Sequence, residues 1–405
     1  MDKLINDVIS CYFKQDDIIT QHQVYSYNNY IDKVFPQMIS QFFPMKIKFN
    51  EKKISGIVID IRNIKPSIPM CNENNGSSQI MTPIIARRRN FTYSLSVNVD
   101  VHYKIHSEEK DINIVGEEKI IKDVLLCKIP ILVGSKYCVS KINSQEECKY
   151  DPGGYFIING NEKVLISQEK IAPNIIQVFN NQKLGKYSLL SEVRSCPEDV
   201  YTYPKTVSVK ITSKYEKYNN YIRVSIPHLR KEIPLFIVFK ALGCNSVKDI
   251  YYHILDNNKS KLDYEILKIL RPSIEEADDI KTQNDSLRYM IKYINNTNYT
   301  NYQDATENIK MNYIVNNVLK DIFPHLGECL IKKIHYLGLM VNKLLKVYLG
   351  VSNVDDRDSY TNKRIETCGS LMANLTYQCM NRIVRDIKNN INKEVSTGEW
   401  NKGKS

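Results

Sequence analysis

The apolar residues of this chain change their spacing partway along it, and that change sets the fold class. Up to about residue 230 they recur mainly at every second position, in strand-like runs at 46–61, Thr92–Ile105, Glu117–Val133, Thr206–Thr212 and Tyr221–Ile226. From Leu235 onward they recur every three or four residues. Two amphipathic stretches close the chain. In Glu328–Leu349 the stripe is Leu330, Ile334, Leu337, Val341, Leu344 and Tyr348, with Lys332, Lys333, Lys343 and Lys346 off it. In Cys368–Glu394 it is Met372, Leu375, Cys379, Ile383, Ile387 and Ile391. A further helical pattern covers 1–45 and stops at Pro44. Strand and helix periods in separate stretches predict an α+β protein, and 405 residues predict at least two domains.

Within this outline, Cys71–Gln79 reads as a polar loop and Asn295–Asn308 as a polar interval. Tyr155–Ile158, a turn at Asn159-Gly160-Asn161 and Lys163–Ser167 read as a hairpin. The composition is that of a soluble globular protein, 42% hydrophobic and 25% charged. A formal charge of +11 draws it towards polyanions, although basic proteins of other kinds share that property. Ten cysteines include no C-x-x-C pair to grip zinc, and the N-terminus has no signal-like apolar run. Reduced thiols in an intracellular protein are expected. No run approaches the roughly 18 apolar residues of a membrane span. Neither H-E-x-x-H nor G-x-S-x-G occurs, so nothing supports a hydrolase. Richness in Asn, Ile, Lys and Tyr points to an A+T-rich genome and lowers the weight of single lysines.

Three short patterns invite chemistry. Gly398 to Ser405 matches the phosphate loop G-x-x-x-x-G-K-S, but a long helix precedes it where that loop needs a buried strand, so a chance match is expected. Asp355, Asp356 and Asp358 could hold Mg²⁺; an acidic turn with Asp358 or Ser359 as a helix cap is the favoured reading. Arg87, Arg88 and Arg89 stand beside Phe91 and Tyr93 and suit phosphate contacts and ring stacking. A solvated edge or internal salt bridges would use the same residues.

Several segments together resemble the second-largest subunit of multisubunit DNA-directed RNA polymerases, the beta subunit of bacteria. The most specific runs from Asp151-Pro-Gly-Gly-Tyr through Asn159-Gly160-Asn to Ser167-Gln168-Glu169. Others are Leu337–Leu345 followed by Asp355–Asp358 and Asn362-Lys363-Arg364, the tract Ala86–Ser94, and Ile233–Gly243. They follow the family's order over nearly the whole chain.

The resemblance implies an α+β protrusion domain, a mixed sheet with helices, formed by about 20–193 and completed by 360–395. An α+β lobe of about 194–359 would be inserted into it, after an N-terminal extension at 1–19 and before the start of a fork region at 396–405. It implies a non-catalytic, cleft-lining part of a nucleotidyltransferase whose Mg²⁺ is held by the largest subunit, with no cofactor bound here. Lys163 and Gln168 match positions near the cleft floor, Lys363 and Arg364 match basic positions beside the nucleic acid, and Arg87, Arg88 and Arg89 match a basic segment of the protrusion. Gln168 could equally be structural. The implied partners are the largest and other polymerase subunits, template DNA, the RNA–DNA hybrid and initiation factors, with no membrane. A viral source would place it in host cytoplasm, viral factory or virion, and a cellular source in the nucleus. The alternative is a stand-alone basic nucleic-acid-binding or transcription-regulating module derived from such a subunit.

Overall fold

The computed structural model describes residues 2–13, 18–51, 54–73, 76–109, 112–115, 118–139, 148, 150–180, 186–197, 201–212, 220–255, 261–294 and 307–397. The chain divides into two compact units, one made of 1–169 with 365–405 and the other of 170–364. The family resemblance implies these crossings near 193/194 and 359/360. Strand Tyr187–Ser195 accounts for the first difference. It pairs with Lys205–Thr212, Leu190 opposite Lys210 and Val193 opposite Val207, and so belongs to the second unit's sheet.

The first unit is built on an antiparallel sheet. Met45–Glu51, Ile54–Pro66 and Ser94–Glu109 lie side by side, and Lys119–Pro130 and Ile112–Val115 both pair with Ser94–Glu109. Alternation sorts the side chains by face. Ile47, Ile57 and Ile105 form one cross-strand row, and Met45, Ile59 and Tyr103 the next. On the other face His102, Lys104 and Arg62 converge on Glu118 at 3.0, 3.3 and 3.7 Å.

The N-terminal helical pattern resolves into Asp2–Phe13, Gln21–Asn29, a π-helical turn Tyr30–Val34 and Phe35–Phe42. Tyr27, Tyr30, Phe35, Met38 and Ile39 from these elements are buried in the core. Cys71–Gln79 differs from the expected loop. Met70–Asn72 and Ser78–Ile80 pair as a short hairpin that buries Cys71, a side-chain packing that polar composition conceals.

The helix Cys368–Thr397 closes this unit by lying on Gln21–Asn29. Gly369 makes the approach possible: a Cβ there would stand 2.1 Å from the Ser26 carbonyl oxygen. The amide of Gly369 donates to Ser26 Oγ (3.1 Å), that of Cys368 to Gln23 Oε1 (2.9 Å), and Tyr30 and Thr376 share a 2.6 Å hydroxyl contact. The buried residues are Cys368, Gly369, Ala373, Met380 and Val395, which is not the expected stripe. Leu375 is 62% exposed and Cys379 is exposed as well. Small residues face the neighbouring helix because only they permit contact at this distance.

The second unit has its own antiparallel sheet, in the order Gln177–Asn180, Tyr187–Ser195, Lys205–Thr212, Ile222–Ser225 and Ile233–Pro234. Its core side carries Val178, Val193, Val207, Val209, Ile211, Ile222 and Val224. Every residue of the helix Leu235–Ala241 is buried, including Lys240, whose ammonium donates to the carbonyls of Ala277 and Ile280. The helix Leu330–Tyr348 buries Ile334, Leu337, Val341 and Leu344 as the stripe requires. It also buries Lys333, 1% exposed, whose ammonium caps the carbonyls of Leu319 (3.0 Å) and Lys320 (2.9 Å). Unpaired carbonyls at the end of Leu319–Asp321 explain why a lysine is tolerated inside. Of the interval Asn295–Asn308, residues 295–306 lie outside the described residues.

Two outcomes are expected. Gly369→Ala should destabilise the first unit by about 3 kcal/mol, the upper end for overpacking, because backbone must move; urea unfolding measures it. In the second unit, burial and the His335 ring 6.0 Å away hold His253 below the usual histidine range. Burial, then Lys333, does the same to His325. Both rings take up protons less readily folded than unfolded. Their protonation therefore opposes folding, with stability undiminished above the unfolded value of 6.5 and lost as pH falls below it. Unfolding midpoints over a series from about pH 8 to about pH 5 should fall, and His253→Gln with His325→Gln should flatten that fall.

Candidate nucleic-acid interface

The arginine tract and the signature hairpin, far apart in sequence, fold into one structure. Helix Pro83–Arg88 starts with Thr82 as a cap, its Oγ1 accepting from the Ile85 amide at 3.3 Å. The hairpin pairs Phe156–Ile158 with Asn161–Lys163. Its turn is Asn159-Gly160, φ +48° and +77°, the double left-handed conformation that a two-residue hairpin turn favours. The second strand thus begins two residues before the expected Lys163. Gly160 is required by crowding as well as by φ: a Cβ would lie 2.5 Å from Asn90 Oδ1. The Gly160 amide donates to Phe91 O (3.0 Å), and the Tyr93 amide to Ile157 O (2.9 Å).

These contacts sort the cations. Arg87 Nε donates to Glu162 Oε1 (2.8 Å) and its Nη2 to the Tyr155 hydroxyl (2.7 Å), with Asp151 Oδ2 at 3.9 Å. The Tyr155 hydroxyl in turn donates to Asp151, and burial followed by that carboxylate pushes its pKa well up. Arg89 pairs with Glu73 at 2.5 Å. Arg88 and Lys163 are exposed and make no ion pair among the described residues. Gln168, also in the first unit, is exposed, with a 3.4 Å contact to Ile166 O. Val164 and Ile166 between them are 69% and 73% exposed. A cavity of about 210 Å³ nearby is lined by Phe156, Leu165, Leu371, Met372 and Leu375.

Lys363 and Arg364 belong to the second unit. The Lys363 side chain is 18% exposed and 3.9 Å from Asp358, while Arg364 is exposed and donates to the carbonyls of Thr361 and Lys363. The acidic turn is built into the same unit. The Asp355 carboxylate accepts from the Val178 amide (2.7 Å) and lies 2.7 Å from Lys343 Nζ, and Asp356 accepts from the Asp358 amide. Among the described residues no three His, Cys, Asp or Glu side chains gather as a metal site. Ser195 and His325 touch at 2.6 Å, but Ser195 is fully buried and His325 is packed between Phe323 and Tyr336. Gly398–Ser405 lies outside the described residues.

This arrangement presents exposed cations and apolar side chains around one hairpin, a chemistry suited to backbone phosphates and to packing. Asp151 and Tyr155 are site-building residues that the sequence reading quoted only as part of a run. Gly160→Ala should unfold the hairpin and cost about 2 kcal/mol or more, whereas Lys163→Ala and Arg88→Ala should stay within about 0.5 kcal/mol of the parent in urea unfolding.

The family model described as RNA polymerase beta subunit matches residues 18–402. The chain is 33% identical, over 97% of its length, to "DNA-directed RNA polymerase II subunit 2" of Arabidopsis thaliana and spans 34% of that protein. It is 30% identical over 94% of its length to "DNA-directed RNA polymerase subunit 2" of Acanthamoeba polyphaga mimivirus, spanning 33% of it. To a DNA-directed RNA polymerase subunit of Methanocaldococcus jannaschii it is 29% identical over 97% of its length, spanning 75% of that protein. The chain therefore covers about a third of the eukaryotic and viral relatives, and it belongs to the RNA polymerase beta subunit family.

Proposed function

We propose that this chain works as the N-terminal part of the second-largest subunit of a DNA-directed RNA polymerase, lining the cleft that holds template DNA and the RNA–DNA hybrid. The first unit would be the protrusion and the second the lobe. The observation that carries the reading is the signature hairpin, which holds Lys163 in solvent, where Arg88 also stands, while Arg87 and Arg89 are engaged in internal ion pairs. Cations of this kind neutralise phosphates without reading bases, as an enzyme that transcribes every sequence requires. Gln168, Lys363 and Arg364 complete the proposed contact set, with Arg87 as a support of the hairpin and Arg89 held on Glu73.

Nucleotide addition would fall to the assembled nucleotidyltransferase, with Mg²⁺ held by the largest subunit. The partners in this reading are that subunit, other polymerase subunits and initiation factors. A large DNA virus is the proposed source, which would put the enzyme in a cytoplasmic factory or virion. Exposed Val164 and Ile166 fit burial against further polymerase surface.

The purified chain alone should incorporate no nucleotides. Native mass measurement of the endogenous complex should find it with a larger polymerase subunit, and Lys163→Glu in the assembled enzyme should make transcription complexes dissociate at lower salt. A 47.1 kDa species found by itself would instead favour a stand-alone nucleic-acid-binding module.

A further inference from the structure

A second cluster of cations lies in the second unit. After strand Ile222–Ser225 the chain turns through His228, φ +70°, and is pinned to the end of helix Gln283–Ile291. Leu229 bridges Ile294, and the Arg230 amide donates to Tyr293 O at 2.8 Å. Arg230 and Lys231 are thereby set beside Lys292 and Tyr293. All three cations are exposed and make no ion pair among the described residues. The carboxylate reaching this turn, Asp321, is already shared by His228 Nε2 (2.5 Å) and Lys205 Nζ (3.0 Å). Glu232 is taken by Lys210 at 2.8 Å. Lys231 Nζ lies 5.6 Å from the centre of the Tyr293 ring, which meets Tyr289 at 5.3 Å.

A lysine just past a helix C-terminus is favoured by the helix dipole, which accounts for Lys292 alone. Arg230 and Lys231 come from a different element, and among the described residues neither pairs with a carboxylate. Three cations this close act as one patch of positive potential. Such a patch attracts polyanions, and within the cleft reading the polyanion at hand is the phosphate backbone of nucleic acid.

We propose that Arg230, Lys231 and Lys292, grouped around Tyr293, form a phosphate-contacting surface for the backbone of DNA or an RNA–DNA hybrid. The inference rests on the cleft reading above and adds contacts on a unit where the family resemblance marked only Lys363 and Arg364.

The test is fluorescence anisotropy of the full chain with labelled duplex DNA over a salt series. Three variants are compared with the parent: Arg230→Ala/Lys231→Ala/Lys292→Ala, Arg88→Ala/Lys163→Ala, and the two sets combined. With about 0.9 per neutralised phosphate, the first variant should reduce the slope of log affinity against log salt by about 2 to 3, with unchanged unfolding midpoint. An unchanged slope in that variant, with a lowered slope in the second, would overturn this surface and leave the hairpin reading standing. Loss of polyglutamate binding with DNA binding intact would overturn it in favour of an acidic protein segment. Parent chain that binds neither duplex nor hybrid would overturn it as well, and the native-mass measurement would then decide the cleft reading separately.

Discussion

Gly369 and Ser26 are 343 residues apart, and the first unit depends on their meeting. The return helix can lie against Gln21–Asn29 only where no side chain intervenes, and there its first amides find acceptors in Gln23 and Ser26. A helix end without such partners would leave backbone donors unsatisfied in a half-buried place. The insertion of a whole second unit between the two partners is thus compatible with one cooperative core. Loop-closure entropy rises only slowly with the length of the intervening chain, more slowly still when that chain is itself folded.

The second unit solves a different problem. Its helices stop inside the protein, and buried lysines donate to carbonyls at or just past their ends. Lys333 serves Leu319 and Lys320, and Lys240 serves Ala277 and Ile280. Burial lowers the pKa of both ammonium groups, which marks the desolvation these contacts must offset. Lys343 is placed likewise between Ile176 O and Asp355, so the acidic turn is held by structure on one side and by charge on the other. The same residue types, lysine and aspartate, therefore build the scaffold in some places and face solvent in others.

That distinction matters most in the arginine tract. Arg87, Arg88 and Arg89 are consecutive, yet Arg87 is locked onto Glu162 and Tyr155, Arg89 onto Glu73, and Arg88 points to solvent. Successive residues on a short helix differ in direction by about a quarter turn or more, so neighbours in sequence meet different partners. The Arg87 ion pair joins the tract to the hairpin, so two segments far apart in sequence become one piece of structure. The proposed patch at Arg230, Lys231 and Lys292 shows the converse, cations from two separate elements set side by side by one backbone bridge.

Sequence periodicity by itself determined the fold class, the main strands of the first sheet and both closing helices, because burial on one face of a strand or helix imposes a period that needs no knowledge of the partner. The hairpin turn was legible too, since Asn159-Gly160 is a backbone requirement. Tertiary structure alone decided the assignment of Tyr187–Ser195 to the second sheet, the buried face of the return helix and the burial of Lys333. It also decided which cations remain unpaired. Strand pairing, helix approach and ion pairing each depend on groups distant in the chain, and their energies are set by distance and solvent exclusion, which composition and spacing do not encode.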